Sequence, residues 1–255
     1  MPSFYSSRRR RTLYVPRAEK PFALSRSKIE LYVRCPRCFY LDRRCGISQP
    51  PCPPFSLNTA VDALLKKEFD VYRKKQVPHP LMVQHEIDAL PFDHQKIDEW
   101  RDSLHGGITY LHVRTNFLLK GGIDDVWINP RGELIIVDYK ATAKKDEVTL
   151  DAPWQMSYKR QMELYQWLFR RNDFPIADVG YFLYCNGVVD TDAFDNRLDF
   201  RISLLPYEGS DEWVEPVLEQ IKECLDLDVL PQSAEDCAFC AYRRAAGEAA
   251  SLLDK

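Results

Sequence analysis

Four charged residues interrupt two apolar runs in GGIDDVWINPRGELIIVDYKAT, residues 121–142: Asp124, Asp125, Asp138 and Lys140. The runs read as two short strands about a turn, and a strand buried on both faces should exclude charge, because an unpaired buried ion is costly or shifts its pKa until it is neutral. Alternate residues of a strand point to one face, so Asp138 and Lys140 share a face and Tyr139 points away. Pro130, Arg131 and Gly132 suit a three-residue hairpin loop with the glycine in the left-handed region. That register sets Asn129 against Glu133 and Asp124 against Asp138, with Asp125 facing the other way. Two carboxylates and one ammonium then meet on one patch. Hard carboxylate oxygens suit Mg²⁺ or Mn²⁺, and the cation removes the repulsion between them. A lysine two residues on can polarise a water on that cation or stabilise charge developing on a phosphoryl group. The competing reading is a structural ion network, which as a stability device roughly breaks even against apolar replacements.

Elements of both kinds must position such a patch. SRSKIELYVRCPRCFYL has Ser27 and Glu30 at capping-box spacing, predicting a helix from near Lys28 to just before Pro36. NTAVDALLKKEFDVYRKK (58–75) predicts a helix with Asn58 as N-cap and Val61, Leu64, Leu65, Phe69 and Tyr72 as its apolar stripe. From Pro78 to Leu104 no period is sustained. GITYLHVRTNFLLKGGIDDVWI and ELIIVDYKA read as strands, SYKRQMELYQWLFRR (157–171) as a helix, VGYFLYCN (179–186) as a strand and WVEPVLEQIKECLDL (213–227) as a helix. This order predicts an α/β or α+β fold with a central mixed sheet flanked by helices.

The chain has 255 residues, 45% apolar and 29% charged, enough for one well-cored domain. Residues 1–28 hold eight Lys or Arg against one Glu, a charge of +7 in a chain whose net charge is −3. Residues 1–24 are therefore expected to form a basic, flexible arm, either solvated or in contact with phosphates through Arg8–Arg11. Residues 25–245 are expected to form one domain and 246–255 a tail. No run of eighteen apolar residues and no secretory signal is seen, so no membrane is expected and the cytoplasm is the expected compartment.

GGIDDV followed by IIVDYKAT resembles the G-x-I-D and (D/E)-x-K signature of the PD-(D/E)XK nuclease superfamily, in particular its RecB-like branch. The resemblance implies a restriction-endonuclease-like core. It also implies a downstream Gln-x-x-x-Tyr motif, matched by Gln161 and Tyr165, which a helix would place on one face. It implies an upstream ligand on the first core helix, where Asp62 stands in the place at which these nucleases commonly carry His. The activity implied is metal-dependent hydrolysis of nucleic acid, most readily DNA, in repair, recombination or defence. Asp124, Asp138, Asp62 and the Tyr139 carbonyl would hold Mg²⁺ or Mn²⁺, Lys140 would position or activate the attacking water, and Gln161 with Tyr165 would orient the scissile strand. The alternative class is a catalytically inactive nucleic-acid-binding module or partner subunit of the same fold.

Eight cysteines in a reducing compartment point to metal chemistry rather than disulfides. Two Cys-x-x-Cys pairs, Cys35 with Cys38 and Cys237 with Cys240, form a four-thiolate set that fits tetrahedral Zn²⁺ or a [4Fe–4S] cluster. Iron–sulfur nucleases of the RecB-like branch carry one such cysteine near the N-terminus and three near the C-terminus. The two-plus-two arrangement here departs from that pattern, with AAGEAA where the last cysteine would fall. Cys45 and Cys52 lie nearby in sequence, while Cys185 and Cys224 read as small buried apolar residues. The five histidines lack metal spacing and read as surface or internally satisfied. No Gly-x-x-x-x-Gly-Lys-Ser/Thr loop occurs, so a helicase would have to be a separate partner.

Overall fold

The structure is a computed structural model that describes residues 12–51 and 56–253; Arg8–Arg11 and Cys52 fall outside them. In chain order the elements are β1 (Phe22–Ser25), α1 (Arg26–Arg34), α2 (Pro36–Arg43), α3 (Ser56–Lys75), α4 (Pro80–Gln84), β2 (Leu90–Pro91) and α5 (Ile97–Arg101). There follow β3 (Ile108–His112), β4 (Phe117–Gly121), β5 (Asp125–Ile128), β6 (Leu134–Thr142), a 3₁₀ turn (Pro153–Gln155) and α6 (Met156–Arg170). The last elements are β7 (Val179–Gly187), β8 (Phe200–Glu208), α7 (Val214–Asp226) and α8 (Ala238–Leu253).

Where one domain over 25–245 was expected, the chain divides into two compact units. The described residues of the larger are 56–110 and 120–211. Its five-stranded sheet has the order β2-β5-β6-β7-β8, with β6 and β7 parallel and the other neighbours antiparallel, which is the expected central mixed sheet. Helix α3 covers one face through Leu65 and Phe69, which pack with Trp127, Ile135, Val137 and Tyr139. Leu64, expected in the same stripe, is 63% exposed because it lies on the flank of the turn that Leu65 buries. Helix α6 lies close on the other face: a Cβ at Gly180 would stand 2.5 Å from the Met162 sulfur, so glycine is what allows this approach.

The described residues of the smaller unit are 12–51, 111–119 and 212–253. Here α1 and α2 pack with α7, around buried Ile29, Phe39, Leu218, Ile221 and Leu225. Helix α1 begins two residues before the expected Lys28, with Ser25 at its N-cap position and no side-chain cap hydrogen bond. The described part of the expected flexible arm is anchored instead. Tyr14 is buried, donates to Asp226 Oδ1 at 2.6 Å and meets the Phe22 ring edge-on, while β1 pairs with β4. Its aromatic residues outweigh its charge. Likewise residues 246–253, expected as tail, continue α8. Among the described residues no helix is long and apolar enough to cross a membrane.

Candidate active site

The β5–β6 hairpin has the register its sequence implies. Asp125 pairs with Val137 and Ile128 with Leu134, the Asn129 amide donates to the Glu133 carbonyl at 3.0 Å, and Gly132 has φ +78°. Extended by one position, this sets Asp124 opposite Asp138. Asp138 is fully buried and bound from two sides: the Lys140 ammonium pairs with Oδ2, and Gln161 Nε2 on α6 donates to Oδ1 at 2.8 Å. The same Gln161 amide reaches the Tyr165 hydroxyl at 3.2 Å, so Tyr165 is linked to Asp138 through Gln161. Burial pushes the Lys140 pKa down, but the carboxylates of Asp138 and Asp124 outweigh it and hold the ammonium above its ordinary value. Lys140 therefore stays charged.

Asp124 lies where β5 begins and accepts the Tyr139 backbone N–H at 2.8 Å. Helix α3 brings Asp62 to it through Lys66, whose ammonium lies 2.9 Å from Asp62 and 3.5 Å from Asp124. Burial, and then the Asp124 charge, raise the Asp62 pKa. Asp62, its side chain one-third exposed, thus shares the Lys66 ammonium with Asp124. Lys66 was not singled out from sequence, although its i,i+4 spacing from Asp62 is the pattern of a helical ion pair. Helix α3 starts at Ser56, so Asn58 is not its N-cap; its side chain donates to the Ala141 carbonyl at 3.2 Å instead.

Asp125 faces the opposite way, as the alternation requires. Its carboxylate, 0% exposed, receives the guanidinium of Arg73, Arg101 Nη2 at 2.9 Å, the Val126 N–H at 2.8 Å and the Tyr139 hydroxyl at 2.8 Å. Arg101 also donates from Nε to the Asp124 carbonyl at 3.1 Å, so this network holds the backbone of the neighbouring acid. Removing one member of a buried charge network leaves its partners desolvated and uncompensated. Asp125→Ala should therefore lower the unfolding free energy by about 3–5 kcal/mol, read by urea denaturation. A loss below about 1 kcal/mol would show that the network contributes little.

Two hard carboxylates, each held against an ammonium, form a donor set that suits a divalent cation. Lys140 and Lys66 supply, at these oxygens, the positive charge that such an ion would supply.

In the smaller unit the four expected sulfurs converge. Cys38 Sγ lies 3.5 Å from Cys240 and 3.6 Å from Cys237, Cys35 lies 3.8 Å from Cys240, and one set of all four falls within 4.8 Å. Arg243 Nη2 donates to the sulfurs of Cys240 at 3.3 Å and Cys38 at 3.7 Å, which offsets the charge four thiolates would carry. Burial raises the Cys35 thiol, but hydrogen bonds from the Cys38 and Ala234 backbone outweigh it and bring its pKa to about 7. Burial pushes Cys185 and Cys224 up to about 11, in keeping with apolar roles. Of the histidines, His79 is buried, caps α4 and stacks on Phe69, while buried His112 bonds Thr115 and Glu215.

A family model described as the PD-(D/E)XK nuclease superfamily matches residues 53–245. No curated protein matches the chain. Among solved structures, the one titled "Crystal structure of SSO0001" aligns with 84% of this chain and 80% of its own at 16% identity and a TM-score of 0.35, too loose an overlap to argue from.

Proposed function

The chain belongs to the PD-(D/E)XK nuclease superfamily, and from that premise we propose that it is a RecB-like, Mg²⁺- or Mn²⁺-dependent nuclease that hydrolyses phosphodiester bonds of DNA. The observation that carries this reading is the grip on Asp138. A fully buried carboxylate is held by a lysine two residues on and by a glutamine from the facing helix, with Asp124 opposite it in the register. As a stability device that arrangement gains little; as a cation site each member has a task.

Asp124 and Asp138, with Asp62 and the Tyr139 carbonyl, would hold the cation. When bound, it places positive charge beside the phosphoryl oxygens and makes an attacking water more acidic. Lys140 donates hydrogen bonds to that water or to the phosphoryl oxygen that gains charge, and the adjoining carboxylates keep it protonated for this. Gln161 fixes the Asp138 side chain, and Tyr165, in contact with the same amide, completes the surface that orients the scissile strand.

The motif resemblance supports DNA as substrate, a cytoplasmic role in repair, recombination or defence, and a helicase as partner. Incubating the purified protein with labelled single- and double-stranded DNA and RNA, with and without Mn²⁺, tests the reading. Metal-dependent cutting of DNA supports it. A protein that binds nucleic acid but cuts none would be a binding module instead.

For the four cysteines we propose one structural ion. The resemblance to iron–sulfur nucleases implies a [4Fe–4S] cluster; a tetrahedral ion with Zn–S bonds of about 2.3 Å would set its sulfurs about 3.8 Å apart, and three pairs here lie 3.5–3.8 Å apart with all four sulfurs within 4.8 Å, which favours zinc. A cluster whose thiolates bind four separate irons needs wider spacing. Elemental analysis should give zinc at one ion per chain; iron with a broad visible absorption band would select the cluster.

A further inference from the structure

On the sheet face away from Lys140, Arg73 and Arg101 meet Asp70 and Asp125 in a network of two guanidiniums and two carboxylates. The side chains of Arg73, Arg101 and Asp125 are only 3%, 7% and 0% exposed. The charges cancel, and a cluster of this kind gains little stability over apolar side chains of similar volume. What it supplies is direction, because a guanidinium presents its donors in a rigid planar fork. Arg101 uses three of them on three acceptors: Nη1 reaches Asp70 at 2.8 Å, Nη2 reaches Asp125 at 2.9 Å, and Nε reaches the Asp124 carbonyl at 3.1 Å.

Through these bonds the network touches every element that carries a group proposed for the cation, with Asp138 gripped separately by Lys140 and Gln161. Where β5 begins, Arg101 holds the Asp124 backbone. On β6, the Tyr139 hydroxyl donates to Asp125 Oδ2 at 2.8 Å while the Tyr139 N–H donates to Asp124 Oδ2 at 2.8 Å. Tyr139 is thus tied to the network by its ring and to the neighbouring carboxylate by its backbone. On α3, Asp62, Lys66, Asp70 and Arg73 follow one another at intervals of four, four and three residues, which is one stripe of a helix. Anchoring Asp70 and Arg73 therefore also fixes where Asp62 comes to lie against Lys66 and Asp124.

We propose that Arg101 and Tyr139, acting through Asp125, are positioning residues that set the spacing of Asp124, Asp62 and the Tyr139 carbonyl for a divalent cation. The inference rests on the nuclease reading for the identity of those groups. It gives the network a task that stability alone does not. Groups that orient metal ligands from behind typically account for 10–100-fold in affinity or activity.

The test is Mn²⁺ binding to the full chain, measured by isothermal titration calorimetry without nucleic acid. The binding that Asp138→Asn removes reports the site. Tyr139→Phe deletes one hydroxyl and keeps the ring that packs near Phe69, so the fold persists, and the variant should weaken that binding about 10-fold. Arg101→Lys keeps the charge but cannot serve three acceptors, and should weaken it by up to about 100-fold. In both variants DNA cleavage should fall at low Mn²⁺ and recover at saturating Mn²⁺, because Lys140 and Asp138 are untouched. A network that acts only on the fold gives a different pattern, with lower thermal stability and unchanged Mn²⁺ affinity. That pattern in Tyr139→Phe overturns the proposal, even where Arg101→Lys does not fold, and leaves the nuclease reading standing if the wild type cuts DNA. Conversely, wild-type protein that binds Mn²⁺ through Asp138, loses affinity in Tyr139→Phe and cuts nothing keeps the positioning role and removes the nuclease reading. Wild-type protein with no Asp138-dependent Mn²⁺ binding overturns both.

Discussion

Asp138→Asn should abolish most Mg²⁺-dependent cleavage, lowering its rate by roughly 10²–10³-fold or more, while the fold and nucleic-acid affinity persist. The substitution keeps the side-chain volume and can still accept the Gln161 hydrogen bond through its amide oxygen. It removes the charge on which the cation and Lys140 both depend. Lys140→Ala should cost a comparable factor, because it withdraws the positive group nearest the charge that develops on the phosphoryl oxygens. Affinity should change far less, since most contacts that hold a nucleic-acid strand go to phosphates away from the scissile bond. Cleavage assays at saturating Mg²⁺, paired with anisotropy and circular dichroism, separate these effects. If both variants cut normally, the grip on Asp138 is structural and the cation is held elsewhere. If cutting is lost together with the helical signal, the two residues act through the fold instead.

The hairpin was legible because its information is local. A two-residue alternation and a left-handed glycine fix the register within some fifteen residues, and Asp124, Asp138 and Lys140 follow from it. Gln161 and Tyr165 were legible only through the family resemblance, which supplies the Gln-x-x-x-Tyr motif, and helical spacing then puts them on one face. The network behind Asp125 was not, because Arg73 and Arg101 stand 52 and 24 residues away and nothing near either arginine marks it as buried. Short α4 and α5 escaped notice for want of a period, and β8 because FRISLLPYE alternates imperfectly and contains a proline. The division into two units was hidden for a related reason. The smaller one is assembled from both chain ends and a hairpin tip, and no composition shift marks those borders.

That discontinuous assembly makes loss of the ion proposed at the four cysteines the perturbation with the largest expected effect on stability. Cys35 and Cys240 are 205 residues apart, and closing so long a loop costs chain entropy that an ion bound to both ends offsets. Where thiolates form a site only on folding, the binding free energy of the ion becomes folding free energy, about 10–16 kcal/mol for structural zinc in small domains. Little else around the sulfurs replaces it: the apolar cluster there holds Leu31 and Ala234 besides the cysteines. Stripping the ion, or Cys240→Ser, should thus cost of order 10 kcal/mol locally. The result should be rapid hydrogen exchange throughout α8 and at the α1–α2 junction around Cys35 and Cys38, with the parts of α1 and α2 packed on α7 and, in the other unit, β5–β6 and α6 staying better protected. An α8 that remains equally protected without metal would show that side-chain packing, and not the ion, joins the two ends of the chain. The sulfur convergence would then be a consequence of the fold rather than one of its causes.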